Sequence, residues 1–183
     1  LIGGNSKTHT MTKPIVDKMI KDLKALNASL LVTVSRRTPQ QFRDYILKEL
    51  GEAKNVYVWD GTGENPYFAF LAYANYIIVT NDSASMLSEA ATTGKPVYTI
   101  PLEGSSEKFS ALYKNLKDAG ALRIFKGELE DWDYAPLNDA ELVAARVKEE
   151  LIKFEKKAET GLTKAPKAAR TNKKKRKKKK GKS

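Results

Sequence analysis

The 183-residue sequence contains no cysteine and a single histidine, His9. The first absence excludes a disulfide, a thiolate metal site and a thiol nucleophile; the second excludes a multi-histidine metal centre. No apolar run approaches the roughly 20 residues that a membrane-crossing helix needs, and no signal peptide opens the chain. The expectation is a soluble protein of the cytosol, or of a surface facing it. Acidic residues are missing from one region only. Residues 164–183 hold twelve Lys and Arg and no Asp or Glu, so residues 1–163 carry 21 basic against 22 acidic side chains. The net charge of +11 therefore belongs to the tail. Its run from Lys173 to Lys180 repels itself, and residues 158–183 read as a disordered polybasic tail. Such a tail contacts anionic lipid or nucleic acid through phosphates without specificity, and it lacks the interleaved aromatic residues that stack on bases.

What remains, residues 1–157, alternates between buried-strand and amphipathic-helix patterns. Leu30–Val34, Val56–Trp59, Tyr76–Thr80, Val97–Ile100 and Ala121–Phe125 are short apolar runs rich in β-branched residues, as expected of strands covered on both faces. Between them, Ile15, Val16, Met19, Ile20, Leu23 and Leu26 recur at helical spacing behind Pro14, and Phe42, Tyr45, Ile46 and Leu50 do the same. Residues 67–75 are almost wholly apolar and predict a well-buried helix. Asp82 or Ser83 caps a helix carrying Met86, Leu87 and Ala90, Gly94 stops it, and Pro96 opens the next strand. A helix near 107–119 and an aromatic loop at 132–137 follow. The last helix is capped by Asn138 or Asp139 and carries Leu142, Val143, Val147 and Leu151. Leu1-Ile2-Gly3-Gly4 reads as the end of a strand entering a glycine turn, so this sequence is expected to be the carboxyl-terminal part of something longer. The class is α/β: one Rossmann-like domain over 1–157, a parallel sheet with helices on both faces.

In such a sheet, ligands bind beyond the carboxyl ends of the strands. Three polar clusters fall there. In Gly3-Gly4-Asn5-Ser6-Lys7, Gly4 permits close backbone approach, and Ser6 and Lys7 suit a phosphate, although the full dinucleotide fingerprint is absent and the glycines equally suit a tight turn. Ser35, Arg36 and Arg37 suit bidentate phosphate recognition; the alternative is that Arg37 pairs with a local acid and Arg36 faces solvent. Trp59 and Asn65 offer a stacking face and an amide to a base or sugar, and Trp59 by itself reads as a core residue. Asp82, Ser83, Ser85 and Met86 line the cleft at a helix N-terminus, and Glu89, one and a half turns in, can accept hydrogen bonds from a hydroxylated ligand. His9 by itself reads as a surface residue. No constellation for acid–base, nucleophilic or metal catalysis stands out, so no catalytic residue is assigned.

These motifs together resemble the mitochondrial fission "elongated mitochondria" family: Leu1–Lys7, Thr33–Pro39, Asp60-Gly61 with Asn65-Pro66-Tyr67, Thr80–Ala90, Gly94–Tyr98 and Pro136–Asp139, in that order over Leu1 to about Leu151. The resemblance implies the donor-binding, carboxyl-terminal half of a GT-B fold, as in nucleotide-sugar glycosyltransferases. Gly4, Ser6, Lys7, Ser35 and Arg36 or Arg37 would then approach a diphosphate, residues 81–86 would lie over the donor, and Glu89 would meet ribose hydroxyls. It further implies either metal-independent glycosyl transfer from a nucleotide diphosphate sugar in an intact protein, with no further cofactor, or a non-catalytic adaptor. In a eukaryotic source, the adaptor would recruit a dynamin-related protein to the cytosolic face of the mitochondrial outer membrane.

Overall fold

The computed structural model describes residues 1–159. Their elements, in chain order, are α1 (Lys13–Lys24), β1 (Leu30–Thr33), α2 (Gln40–Gly51), β2 (Val56–Trp59), α3 (Tyr67–Tyr73), β3 (Ile77–Thr80), α4 (Ala84–Ala91), β4 (Val97–Ile100), α5 (Glu107–Asp118), β5 (Leu122–Ile124) and α6 (Asp139–Glu159). The polybasic tail lies outside the described residues.

Two parallel sheets form, β1-β2 with Leu30 opposite Val56, and β3-β4-β5 with Ile77 opposite Val97 and Val97 opposite Leu122. The first residues join them. Ile2 N–H donates to Thr33 O at 2.9 Å, and Ser35 N–H donates to Ile2 O at 2.8 Å. On the other side the Leu1 amino group donates to Ile78 O at 2.7 Å, and Thr80 N–H donates to Leu1 O at 3.1 Å. The spatial order is thus β2, β1, Leu1–Gly3, β3, β4, β5. Chain order reverses between Leu1–Gly3 and β3, which is the topological switch point of a doubly wound, Rossmann-like sheet.

Alternating side chains build a core on each face. On one face Ile2, Val32, Val34 and Tyr98 pack with Val16, Met19 and Ile20 of α1 and Ile46 and Leu50 of α2. On the other, Ile77, Val79, Val97 and Leu122 pack with Leu71 of α3, Leu87, Ala90 and Ala91 of α4, and Leu116 of α5. The aromatic loop closes onto the sheet, Trp132 meeting the Tyr98 ring edge-on at 5.0 Å and Tyr134 donating its hydroxyl to Ala91 O at 3.0 Å.

Helix α3 corrects one expectation. Phe70 and Leu71 are buried, but Phe68 is 74% and Tyr73 82% exposed. A helix this short offers the sheet one stripe, and Phe68 and Tyr73 lie off it.

The chain divides into two compact units, Leu1–Leu137 and a second that begins at Asn138. In the second, Asn138 Oδ1 accepts the Glu141 N–H at 3.3 Å and caps α6. The apolar residues Leu142, Val143, Val147 and Leu151 of this helix are exposed. Among the described residues, no helix is long and apolar enough to cross a membrane.

Candidate functional site

The switch point places Gly3-Gly4, the turn after β1 and the turn after β3 side by side, and Asp82 is what they share. Its side chain is fully buried. Oδ2 accepts the Gly4 N–H at 3.0 Å and the Arg37 Nη2–H at 2.9 Å, while Oδ1 accepts the Thr80 hydroxyl at 2.7 Å. Thr80 Oγ1 in turn accepts the Gly3 N–H at 2.7 Å. A buried carboxylate needs a counter-charge and hydrogen-bond donors, and this one has both. The glycines are required by contact: a Cβ on Gly3 would lie 2.0 Å from Asp82 Oδ1, and one on Gly4 would lie 2.1 Å from the Arg37 carbonyl oxygen.

Asp82 is therefore no helix cap. Ser83 takes that role, its Oγ accepting the Met86 N–H at 3.4 Å, and among the described residues the backbone N–H groups of Ala84 and Ser85 meet no protein acceptor. These two N–H groups, with the positive end of the α4 dipole, lie just beyond the carboxyl end of β3. Met86 is half-buried and Ser85 exposed.

Of the two arginines, Arg37 pairs with an acid, though one 45 residues away in sequence, and Arg36 is exposed and makes no ion pair among the described residues. Ser35 Oγ accepts the Arg37 N–H at 3.1 Å and shapes the turn. Lys7 is exposed and likewise unpaired among the described residues. Ser6 is a loop organiser, its Oγ accepting the N–H groups of Thr8 and His9 at 3.3 and 3.0 Å.

His9 is not a surface residue; it is 2% exposed. Its Nδ1 shares a 2.9 Å hydrogen bond with Thr8 Oγ1, and its ring sits edge-on to Phe109 at 4.7 Å. The loop returns it to the body because Thr10 and Glu103 exchange backbone hydrogen bonds, which a polar stretch gives no means of foreseeing.

Two further candidates are occupied by local structure. Trp59 is half-buried, and its Nε1–H donates to Thr62 O at 2.7 Å across its own turn. Asn65 Oδ1 accepts the Tyr67 N–H at 3.1 Å and starts α3. Glu89 Oε2 accepts the Tyr67 hydroxyl in a short hydrogen bond, so the carboxylate is fixed in place with Oε1 free of any hydrogen bond among the described residues. Burial, and then the Glu89 carboxylate, hold the Tyr67 phenol well above its usual range, so it remains a donor. Tyr67 and Thr80 belong to this site without being singled out by the sequence; the Tyr67–Glu89 pair spans 22 positions and leaves no local signal. Among the described residues, no group of three or more His, Cys, Asp or Glu lies together where it could hold a metal.

A doubly wound parallel sheet, with cationic side chains and a helix N-terminus at its switch point, defines the class: a Rossmann-like α/β protein. A family model described as "Mitochondrial fission ELM1" matches residues 1–151, and the chain belongs to this family. It is 38% identical over 144 residues to the mitochondrial fission protein ELM1 of Arabidopsis thaliana, covering 77% of this chain and 34% of that protein. It is also 35% identical over 164 residues to an uncharacterized protein of Rickettsia prowazekii (strain Madrid E), covering 84% of this chain and 45% of that one. The chain thus spans less than half the length of these curated relatives. No solved structure matches it.

Proposed function

We propose that the switch-point mouth binds the diphosphate of a nucleotide sugar, and that glycosyl transfer, where it occurs, is metal-independent. The observation that carries this reading is the combination, at the carboxyl ends of adjacent strands, of two exposed cations, Lys7 and Arg36, and the N–H groups of Ala84 and Ser85, all without partners among the described residues. That set suits an anion of two phosphates. Glu89, held by Tyr67 with one oxygen free of hydrogen bonds among the described residues, supplies a carboxylate acceptor for sugar hydroxyls. Arg37 and Gly4 N–H are engaged by Asp82, so they contribute by shaping the floor of the mouth. In a transfer reaction the leaving diphosphate gains charge, and Arg36 with the α4 N-terminus would stabilise it.

Calorimetric titration of the full chain with UDP, GDP and UDP-sugars tests this. Arg36→Ala and Glu89→Ala each weaken binding at least tenfold if the reading holds; unchanged affinity in both overturns it.

A second reading is an adaptor that holds a dynamin-related protein. The exposed aromatic rings of Phe68 and Tyr73 favour it, since aromatic residues are enriched at interface centres. Phe68→Ser with Tyr73→Ser would then abolish binding of a purified dynamin-related protein while Arg36→Ala leaves it intact.

A further inference from the structure

His9 is almost wholly enclosed, yet one of its ring nitrogens is left without a partner. Nδ1 shares its hydrogen bond with Thr8 Oγ1, whereas Nε2 meets no hydrogen-bond partner among the described residues. Among those residues Arg43 Nε is the only buried side-chain nitrogen or oxygen that lacks a partner, so His9 Nε2 is reached by solvent. A ring that is 2% exposed thus opens outward at Nε2.

The hydroxyls behind the ring decide what Nε2 carries. Ser6 Oγ accepts the N–H groups of Thr8 and His9, which leaves its own hydrogen for Thr8 Oγ1 at 3.5 Å. The Thr8 hydrogen is then directed at Nδ1, and a neutral imidazole whose Nδ1 accepts holds its proton on Nε2. Nε2 is a donor without an acceptor.

The loop carries this donor to the strand ends. At one end Asn5 N–H donates to Arg37 O at 3.1 Å, and at the other Thr10 and Glu103 exchange backbone hydrogen bonds of 2.8 and 3.1 Å. Next to Glu103, in the turn after β4, a Cβ on Gly104 would lie 2.2 Å from Thr8 O. Because β3 stands between Leu1–Gly3 and β4, a loop running from the Arg37 turn to the β4 turn crosses the carboxyl end of β3, where α4 begins. Lys7 and His9 both lie on that crossing.

We infer that His9 is a binding residue of the same mouth, its Nε2–H donating to a phosphate oxygen, and this rests on that mouth binding a nucleotide diphosphate. The loop of Lys7 and His9 holds one phosphate and the N–H groups of Ala84 and Ser85 the other, so a diphosphate is favoured over a monophosphate.

His9 is the single histidine of the chain, so nitrogen NMR of the isotope-labelled full chain reads its ring without ambiguity. The measurement is made above the ordinary titration range of histidine and at a salt concentration that suppresses binding to the lysine-rich tail. In the free chain the proton is found on Nε2; a proton on Nδ1 overturns the inference. Saturating UDP, and saturating inorganic pyrophosphate, each move the Nε2 resonance and slow the exchange of its proton with water. By calorimetry His9→Phe weakens UDP about tenfold and UMP little, while His9→Gln, which keeps an N–H donor, stays within about threefold of the unaltered chain. An unmoved Nε2 with UDP bound, or full UDP affinity in His9→Phe, overturns the role of His9 and leaves the mouth standing. A response to pyrophosphate with no binding of any nucleotide keeps His9 as a phosphate donor and removes the nucleotide; no response to either ligand overturns both.

Discussion

Replacing Asp82 by alanine removes the acceptor on which three elements converge. The Gly4 N–H, donating at 3.0 Å, is buried and loses its partner; leaving a buried donor unsatisfied costs about 1–3 kcal/mol. The Thr80 hydroxyl loses its acceptor as well, a loss of about 1 kcal/mol for a neutral bond. Arg37 is 44% exposed on its side chain, so its freed guanidinium turns to water and adds little. Against these stands the relief of no longer burying a carboxylate, which lowers the net effect. The expected outcome is a loss of about 3 kcal/mol, in the range of a broken buried network. Arg37→Ala leaves the carboxylate buried with its two neutral donors and costs about 2 kcal/mol. Because the two residues touch, the double variant is less destabilised than the sum of the singles by about 1 kcal/mol or more. Urea unfolding of the full chain measures all four corners of the cycle, with an unchanged slope required for a valid comparison. A loss below about 0.5 kcal/mol for Asp82→Ala, the level of an ordinary surface substitution, together with strict additivity, would refute the reasoning.

Gly4→Ala drives a Cβ to within 2.1 Å of a backbone oxygen and should destabilise by about 3 kcal/mol or prevent folding, read by circular dichroism against Gly51→Ala, whose Cβ meets nothing. Leu87→Ala, at a fully buried position in α4, costs about 2–5 kcal/mol in the same unfolding assay, whereas exposed Phe68→Ala stays within about 0.5. In a chain beginning at Leu1, burial pushes the amine down to about 5 from its ordinary 8.0. Between those values the unfolded state binds more protons, so stability rises with pH from 5 to 8, by about 4 kcal/mol in all, and levels off above; unfolding midpoints across that window check it, and N-terminal acetylation flattens this component.

The strands and most helices were legible because each is a local pattern. Tyr76–Thr80 is β-branched and apolar whatever surrounds it, and Ser83 sits where an N-cap must. The Rossmann-like class follows from the alternation of such patterns. Partnerships across the chain were not legible. Asp82 is equally suited to capping its own helix; what turns it inward is Gly4 and Arg37, 78 and 45 residues away. Glu89 reads as a cleft carboxylate from its helical position, but Tyr67, its anchor, arrives from a different element. His9 is polar among polar neighbours, and it is the Thr10–Glu103 backbone exchange and the Phe109 ring, both distant in sequence, that accompany its burial. The polar runs were legible as strand ends, since a run such as Gly3–Lys7 after a buried strand falls beyond the carboxyl edge of the sheet.

The thermal midpoint of the full chain with and without millimolar UDP, GDP and UDP-sugars, at a salt concentration that suppresses binding to the lysine-rich tail, tests the proposed mouth most directly. A rise of several degrees with one nucleotide, lost in Arg36→Ala and in Glu89→Ala while both variants keep their unliganded midpoint, is the predicted result. An unchanged midpoint with every nucleotide, or a rise that both variants retain, would contradict it.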